Sequence, residues 1–99
     1  MTEQTKQMYE MYADIYKVLS NGKRLEVLNC IKDRERSVDD IAKEVGIRKA
    51  NLSQHLALLR LNKLVTHRRE GQKIFYKCID PGIVEPCNVI EALRARGII

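Results

Sequence analysis

Apolar residues fall at helical spacing in most of this 99-residue chain and at alternating spacing in one short part of it. Met8, Met11, Tyr12, Ile15, Tyr16 and Leu19 recur at steps of three and four, which predicts an amphipathic helix over about 5–19. "SNGK" interrupts it, and Ser20 or Asn21 can cap a second helix over about 21–33 that carries Leu25, Val27, Leu28 and Ile31. "KDRERS" reads as a charged connection. Ser37 then opens a short helix over 38–45. Ser37 and Asp40 have the spacing of a capping box, with Asp in place of the usual Glu, and Asp39 and Asp40 suit the positive end of the helix dipole. Gly46 closes that helix, since the left-handed conformation costs glycine nothing.

A fourth helix follows over about 49–62, stripe Leu52, Leu56 and Leu59. The spacing then switches to two. Val65, His67 and Arg69 would face one way on one strand, and Ile74, Tyr76 and Cys78 one way on the next, with Gly71 supplying the positive φ of a tight hairpin within 64–79. "DPG" allows a helix capped by Asp80 to start at Pro81. Pro86 offers a later start, with the helix then running over about 86–97 along Cys87, Ile90 and Leu93. A short helix, a glycine turn and a second helix make a helix-turn-helix, and the hairpin after it is a wing. The expected fold is therefore mainly α with a β-hairpin: one winged helix-turn-helix domain over 1–99 with an extra helix at each end.

Charge sharpens this picture. The net +5 is distributed unevenly, with residues 1–47 and 78–99 each summing to −1 and residues 48–77 to +7. Such concentration on one segment points to a polyanionic partner, where a merely solubilising charge would be spread out. The same segment opens with "RKANLSQHLALLRLNKLV", whose leucines would anchor the helix while Ser53, Gln54 and His55 lie bunched on its other face. The recognition helix of a helix-turn-helix sets its N-terminal residues against base edges in the major groove. Gln54 can pair bidentately with adenine, Ser53 and His55 can donate or accept, and Lys49 and Asn51 can reach phosphate or base. Arg68, Arg69, Gln72 and Lys73 on the wing would hold the backbone or minor groove. Arg48, which with Lys49 leads into that helix, is a further cation expected at a phosphate. A glycine-rich phosphate loop, a nucleophile motif and an acid pair are all missing from the sequence, which argues against an enzyme. A protein-interaction module is the competing class, though it would have no use for the polar trio.

The stretches "VLSNGKRLEVLNCI", "ERSVDDIAKEVGI", "LSQHLALLRLNKLV" and "RREGQKIFYKC" together resemble the ArsR/SmtB family of dimeric transcriptional repressors. "ANLSQHLALLR" with the "DPGIV…ALRA" tail is similar to a subgroup often fused to a rhodanese domain, which these residues do not include. The resemblance implies a homodimer whose first and last helices pack across a twofold axis. Met8, Tyr12, Ile15, Ile90 and Leu93 agree with it, because so small a core offers them no burial partner. A twofold dimer would read an imperfect inverted repeat in double-stranded DNA, with half-sites about 34 Å apart or a multiple of that.

The family resemblance also implies an inducer that releases DNA. Its thiolate metal site would fall on Ser37 and Asp39, and its zinc site near Asp80, Gly82, Leu93 and Arg96; neither set supplies the ligands. His55 and His67 lie on elements expected at DNA, so no metal or other cofactor is expected. Cys30, Cys78 and Cys87 remain. Cys30 and Cys87 resemble a pair through which some family members sense oxidants or reactive sulfur, with Lys23 and Arg24 near Cys30 in sequence. A nonstandard three-cysteine metal site and three plain buried thiols stay open as alternatives. An odd cysteine number, no signal peptide and no membrane-length apolar run suggest a cytoplasmic protein with reduced thiols.

Overall fold

The first three helices start where a side chain can take up a backbone N–H that the helix leaves unpaired. A computed structural model describes residues 1–99. In α1 (Glu3–Leu19) the Thr2 hydroxyl accepts from the Thr5 N–H at 3.1 Å, and in α2 (Gly22–Cys30) the Asn21 side chain accepts from the Arg24 N–H at 3.1 Å. Ser37 accepts from the Asp40 N–H at 3.1 Å to open α3 (Val38–Val45), which Gly46 ends at φ 72°. The next helix, α4 (Lys49–Leu61), begins at Arg48 with no side-chain cap bond.

The end of the second helix and the connection after it differ from expectation. The second helix stops at Cys30, three residues short of 33, because the Ile31 carbonyl turns away to accept from the Cys78 N–H at 3.0 Å. The charged connection after it contains a strand, β1 (Arg36–Ser37), too short to show any alternation in sequence. It joins the hairpin strands β2 (Val65–Glu70) and β3 (Lys73–Cys78) in an antiparallel sheet of order β1-β3-β2. Arg36 lies opposite Tyr76 and Ser37 opposite Phe75, while Val65 faces Cys78, His67 faces Tyr76 and Arg69 faces Ile74. The two alternating sets thus share one side of the sheet, with Gly71 at φ 62° in the turn.

The choice between Pro81 and Pro86 resolves into two elements. Pro81–Ile83 form a 3-10 turn whose Asp80 carboxylate accepts from the Gly82 N–H at 2.7 Å, and α5 (Glu85–Ala95) starts afresh with Pro86 in its first turn. Proline is harmless there because that N–H has no helical partner.

Leu28 and Ile31 at the end of α2, Ile41 of α3, and Leu52, Leu56 and Leu59 of α4 form the centre of the core, and Val65, Tyr76 and Cys78 of the sheet close it. Only 16 residues are buried. The radius of gyration is 15.3 Å, against about 13 Å for a typical domain of this length. Both values have one cause. The helix α5 buries none of its residues and α1 buries only Val18, so the two stand off the body. Met8, Tyr12 and Ile90 are 46%, 40% and 52% exposed, with Ile15 and Leu93 half-buried. Met11, Tyr12, Ile15, Ile83 and Pro86 line an apolar groove of about 530 Å³ between α1 and the start of α5. No helix is long and apolar enough to cross a membrane.

Candidate nucleic-acid interface

Leu52, Leu56 and Leu59 fix how α4 sits on the body, and every other side chain on the helix takes its direction from them. At 100° per residue, Ser53 and His55 lie about 160° apart around the axis. They therefore cannot share a face, and the expected trio divides. Gln54 points away from the core and is exposed. Ser53 opens toward the wing. His55 is half-buried against α2, its Nδ1 3.4 Å from Nη1 of Arg24, whose Nε donates to the Val18 carbonyl at 2.6 Å. A guanidinium can only donate, so Nδ1 accepts and the neutral ring carries its proton on Nε2. Burial, and secondarily the Arg24 charge, hold the His55 pKa below the ordinary histidine value.

A cleft of about 680 Å³ separates α4 from the wing. Lys49, Ser53, Ala57 and Arg60 line its helix side, Gln72, Lys73 and Ile74 its wing side, and Asp39 one end. Lys49 Nζ is 2.6 Å from Asp39 Oδ1, and that contact holds the Asp39 carboxyl below its usual range. Both groups are exposed, so the pair can exchange for another anion at little cost. Arg48 and Asn51 are exposed at the start of α4, and Arg69 is exposed on β2 without an ion pair.

Arg68 is placed differently. It lies on the other side of the sheet, 4.6 Å above the Phe75 ring, with Nε 2.9 Å from both Glu35 oxygens and Nη1 3.0 Å from Glu70 Oε2. Among the residues expected to bind DNA it is the one whose charge is already held twice. Arg60 was not anticipated, although its place seven and eleven residues after Ser53 and Lys49 puts all three on one helical side. The partnership of Arg24 with His55 left no mark in the sequence, because it joins different helices.

The three thiols occupy three separate environments. Cys78 is buried and donates to the Asp80 carbonyl at 3.1 Å, and burial raises its pKa. Cys87 is exposed on α5. Cys30 is half-buried and donates to the Glu44 carboxylate, which Arg36 also grips. Burial first, and that hydrogen bond next, push the Cys30 thiol from 9.0 up to about 11, against the opposing charge of Arg36. The cation beside Cys30 is therefore Arg36, its Nη1 3.3 Å from Sγ, and not Lys23 or Arg24. Lys23 donates to the Val45 carbonyl at 3.1 Å. No three His, Cys, Asp or Glu side chains come together within the chain, so a three-cysteine metal site has no place in one protomer.

Residues 21–66, the second helix through the start of the wing, match the family described as "Bacterial regulatory protein, arsR family". The arsenical resistance operon repressor of Staphylococcus aureus is 31% identical over 93 residues, which cover 91% of this chain and 89% of that protein. The chain belongs to the arsR family. The HTH-type transcriptional regulator KmtR of Mycobacterium tuberculosis is 40% identical over 67 residues, 68% of this chain and 52% of KmtR, so the match spans about half of that relative. Among solved structures, NolR from Sinorhizobium fredii superimposes with a TM-score of 0.82 at 28% identity, covering 94% of this chain and 93% of NolR. The fold is that of the winged helix-turn-helix arsR regulators.

Proposed function

We propose that this arsR family protein is a homodimeric, sequence-specific DNA-binding transcriptional regulator, a repressor released by an inducer. The cleft between α4 and the wing carries the reading: an exposed, cation-lined channel beside a helix whose Ser53 and Gln54 can read base edges. Arg48, Lys49, Asn51, Arg69, Gln72 and Lys73 surround it as phosphate and groove contacts. His55 serves from behind, holding α4 against α2 and keeping only Nε2–H to offer. The exposed stripe of Met8, Tyr12 and Ile90, with Ile15 and Leu93 behind it, supports a dimer through α1 and α5 that presents two recognition helices to an imperfect inverted repeat. A monomer at micromolar concentration by analytical ultracentrifugation would remove that part of the proposal.

For the inducer, a thiol reaction is the finer reading. In the folded chain Cys30 holds its proton against Glu44, so it is a poor nucleophile, and the exposed Cys87 is the thiol an oxidant or sulfur donor meets first. The test is fluorescence anisotropy of the reduced protein on the duplex upstream of its own reading frame, repeated with tetrasulfide, peroxide, zinc and arsenite. Steep salt dependence with release by a sulfur donor or oxidant alone, lost in Cys87→Ser, supports the whole reading. Release by metal alone would replace the thiol switch with a metal site built between protomers. Binding to no duplex would favour a protein-interaction module.

A further inference from the structure

The wing cannot act at DNA unless something fixes its angle, and the sheet itself does this only in part. Strand β2 is hydrogen-bonded to β3 alone, and β1 reaches only Phe75 and Tyr76. Beyond Phe75 the hairpin therefore projects without a third strand, as Arg69 opposite Ile74, Glu70 opposite Lys73, and the turn, and only Ile74 of these residues still packs against the core. Arg68 faces Phe75, the last residue pair before that projection. From there its guanidinium crosses the Phe75 ring and reaches Glu35, immediately before β1, with Nε 2.9 Å from both carboxylate oxygens and Nη2 2.5 Å from Oε1. The side chain thus straps all three strands together at the root of the projecting hairpin, and Glu70 holds Nη1 from the wing side at 3.0 Å.

We propose that Glu35 and Arg68 form a clamp that sets the wing angle, so that both are positioning residues for DNA binding and Arg68 is not a phosphate contact. The inference rests on the reading of the wing as a DNA-contacting element. A single exposed ion pair contributes little, since two long side chains must be ordered in high dielectric. This one differs in three ways that strengthen it: the Arg meets Glu35 through two nitrogens, an aromatic face lies beneath it, and a second carboxylate joins it. To hold a phosphate, Arg68 would have to leave two carboxylates for one anion. A free wing, by contrast, must be ordered again on each binding event, and affinity falls by the fraction of time it is correctly placed.

The two roles predict opposite signs for Glu35. Removing a negative charge from a surface near DNA should tighten binding if Glu35 only repels the duplex or competes for Arg68. Under the clamp, Glu35→Gln weakens binding about fivefold per protomer. Anisotropy on the upstream duplex would be measured for Glu35→Gln, Arg68→Gln, Arg68→Lys and the double Gln variant, with amide hydrogen exchange of the β2–β3 hairpin followed by NMR without DNA. The clamp predicts weaker binding for every single variant, a double variant no weaker than the worse single, and hairpin amides that exchange several-fold faster in Glu35→Gln. Tighter binding by Glu35→Gln, additive effects in the double variant, or full affinity retained by Arg68→Lys would each overturn it. If the wild type binds no duplex, the DNA reading fails by itself. The exchange data then still decide the clamp, and unchanged hairpin exchange in Glu35→Gln overturns it.

Discussion

Arg60 gives the sharpest test of the cleft, because the structure placed it there without any ion-pair partner. Each cation that neutralises a phosphate lowers log K by about 0.9 per tenfold rise in salt, through counterion release. Arg60→Gln removes one such cation per protomer, so a dimer loses about 1.8 from its slope. Between 50 and 200 mM salt, a fourfold change, the wild type should therefore lose about 12-fold more affinity than the variant. Anisotropy titrations on one duplex at four salt concentrations measure both slopes directly. The plain alternative is that Arg60, in the last turn of α4, only complements the helix dipole. In that case Arg60→Gln would cost about 0.3–1 kcal/mol of folding stability and leave the salt slope unchanged. An unchanged slope would refute the placement of a phosphate in this part of the cleft.

Two further outcomes follow from single residues. Raised from 9.0 to about 11, Cys30 should carry about 100-fold less thiolate at pH 8 than an unperturbed thiol, and iodoacetamide alkylation followed by mass spectrometry should find it correspondingly slow. Glu44→Gln should restore only part of that rate, since burial is the larger cause; a Cys30 as fast as a free thiol would contradict the geometry. The sign of the linkage follows, because the folded state keeps the proton longer: this group's contribution to stability is full below pH 9 and is lost between 9 and about 11. Lys63 ends α4 at φ 59°, in the motif where the Leu64 N–H donates to the Leu59 carbonyl and the Lys63 N–H to that of Arg60. Left-handed backbone costs an L-residue about 1–2 kcal/mol and glycine's extra freedom when unfolded about 0.5–1, so Lys63→Gly should stabilise by about 0.5–1 kcal/mol in urea titration and Lys63→Ala should not. Equal stabilities for the Gly and Ala variants would show the position to be unstrained.

Local periodicity and capping chemistry determined most of the fold. Ser37, Asn21 and Gly46 mark helix ends through bonds within a few residues, and the alternation of Val65 and Cys78 with polar neighbours marks the hairpin, so no distant partner is needed to read them. The stripe of Leu52, Leu56 and Leu59 likewise located α4 and its buried face from sequence. What escaped was whatever depends on groups far apart in the chain. The β1 strand exists because Arg36 and Ser37 meet Tyr76 and Phe75, and α2 ends where Ile31 finds Cys78. His55 turns inward because Arg24 waits for it on another helix, and Arg68 is tied to Glu35 across the sheet. The composition of 48–77 determined that a cationic surface would exist. Which cations stay free to use it was decided only by folding, because an ion pair depends on distance in space and its partner can come from anywhere in the chain.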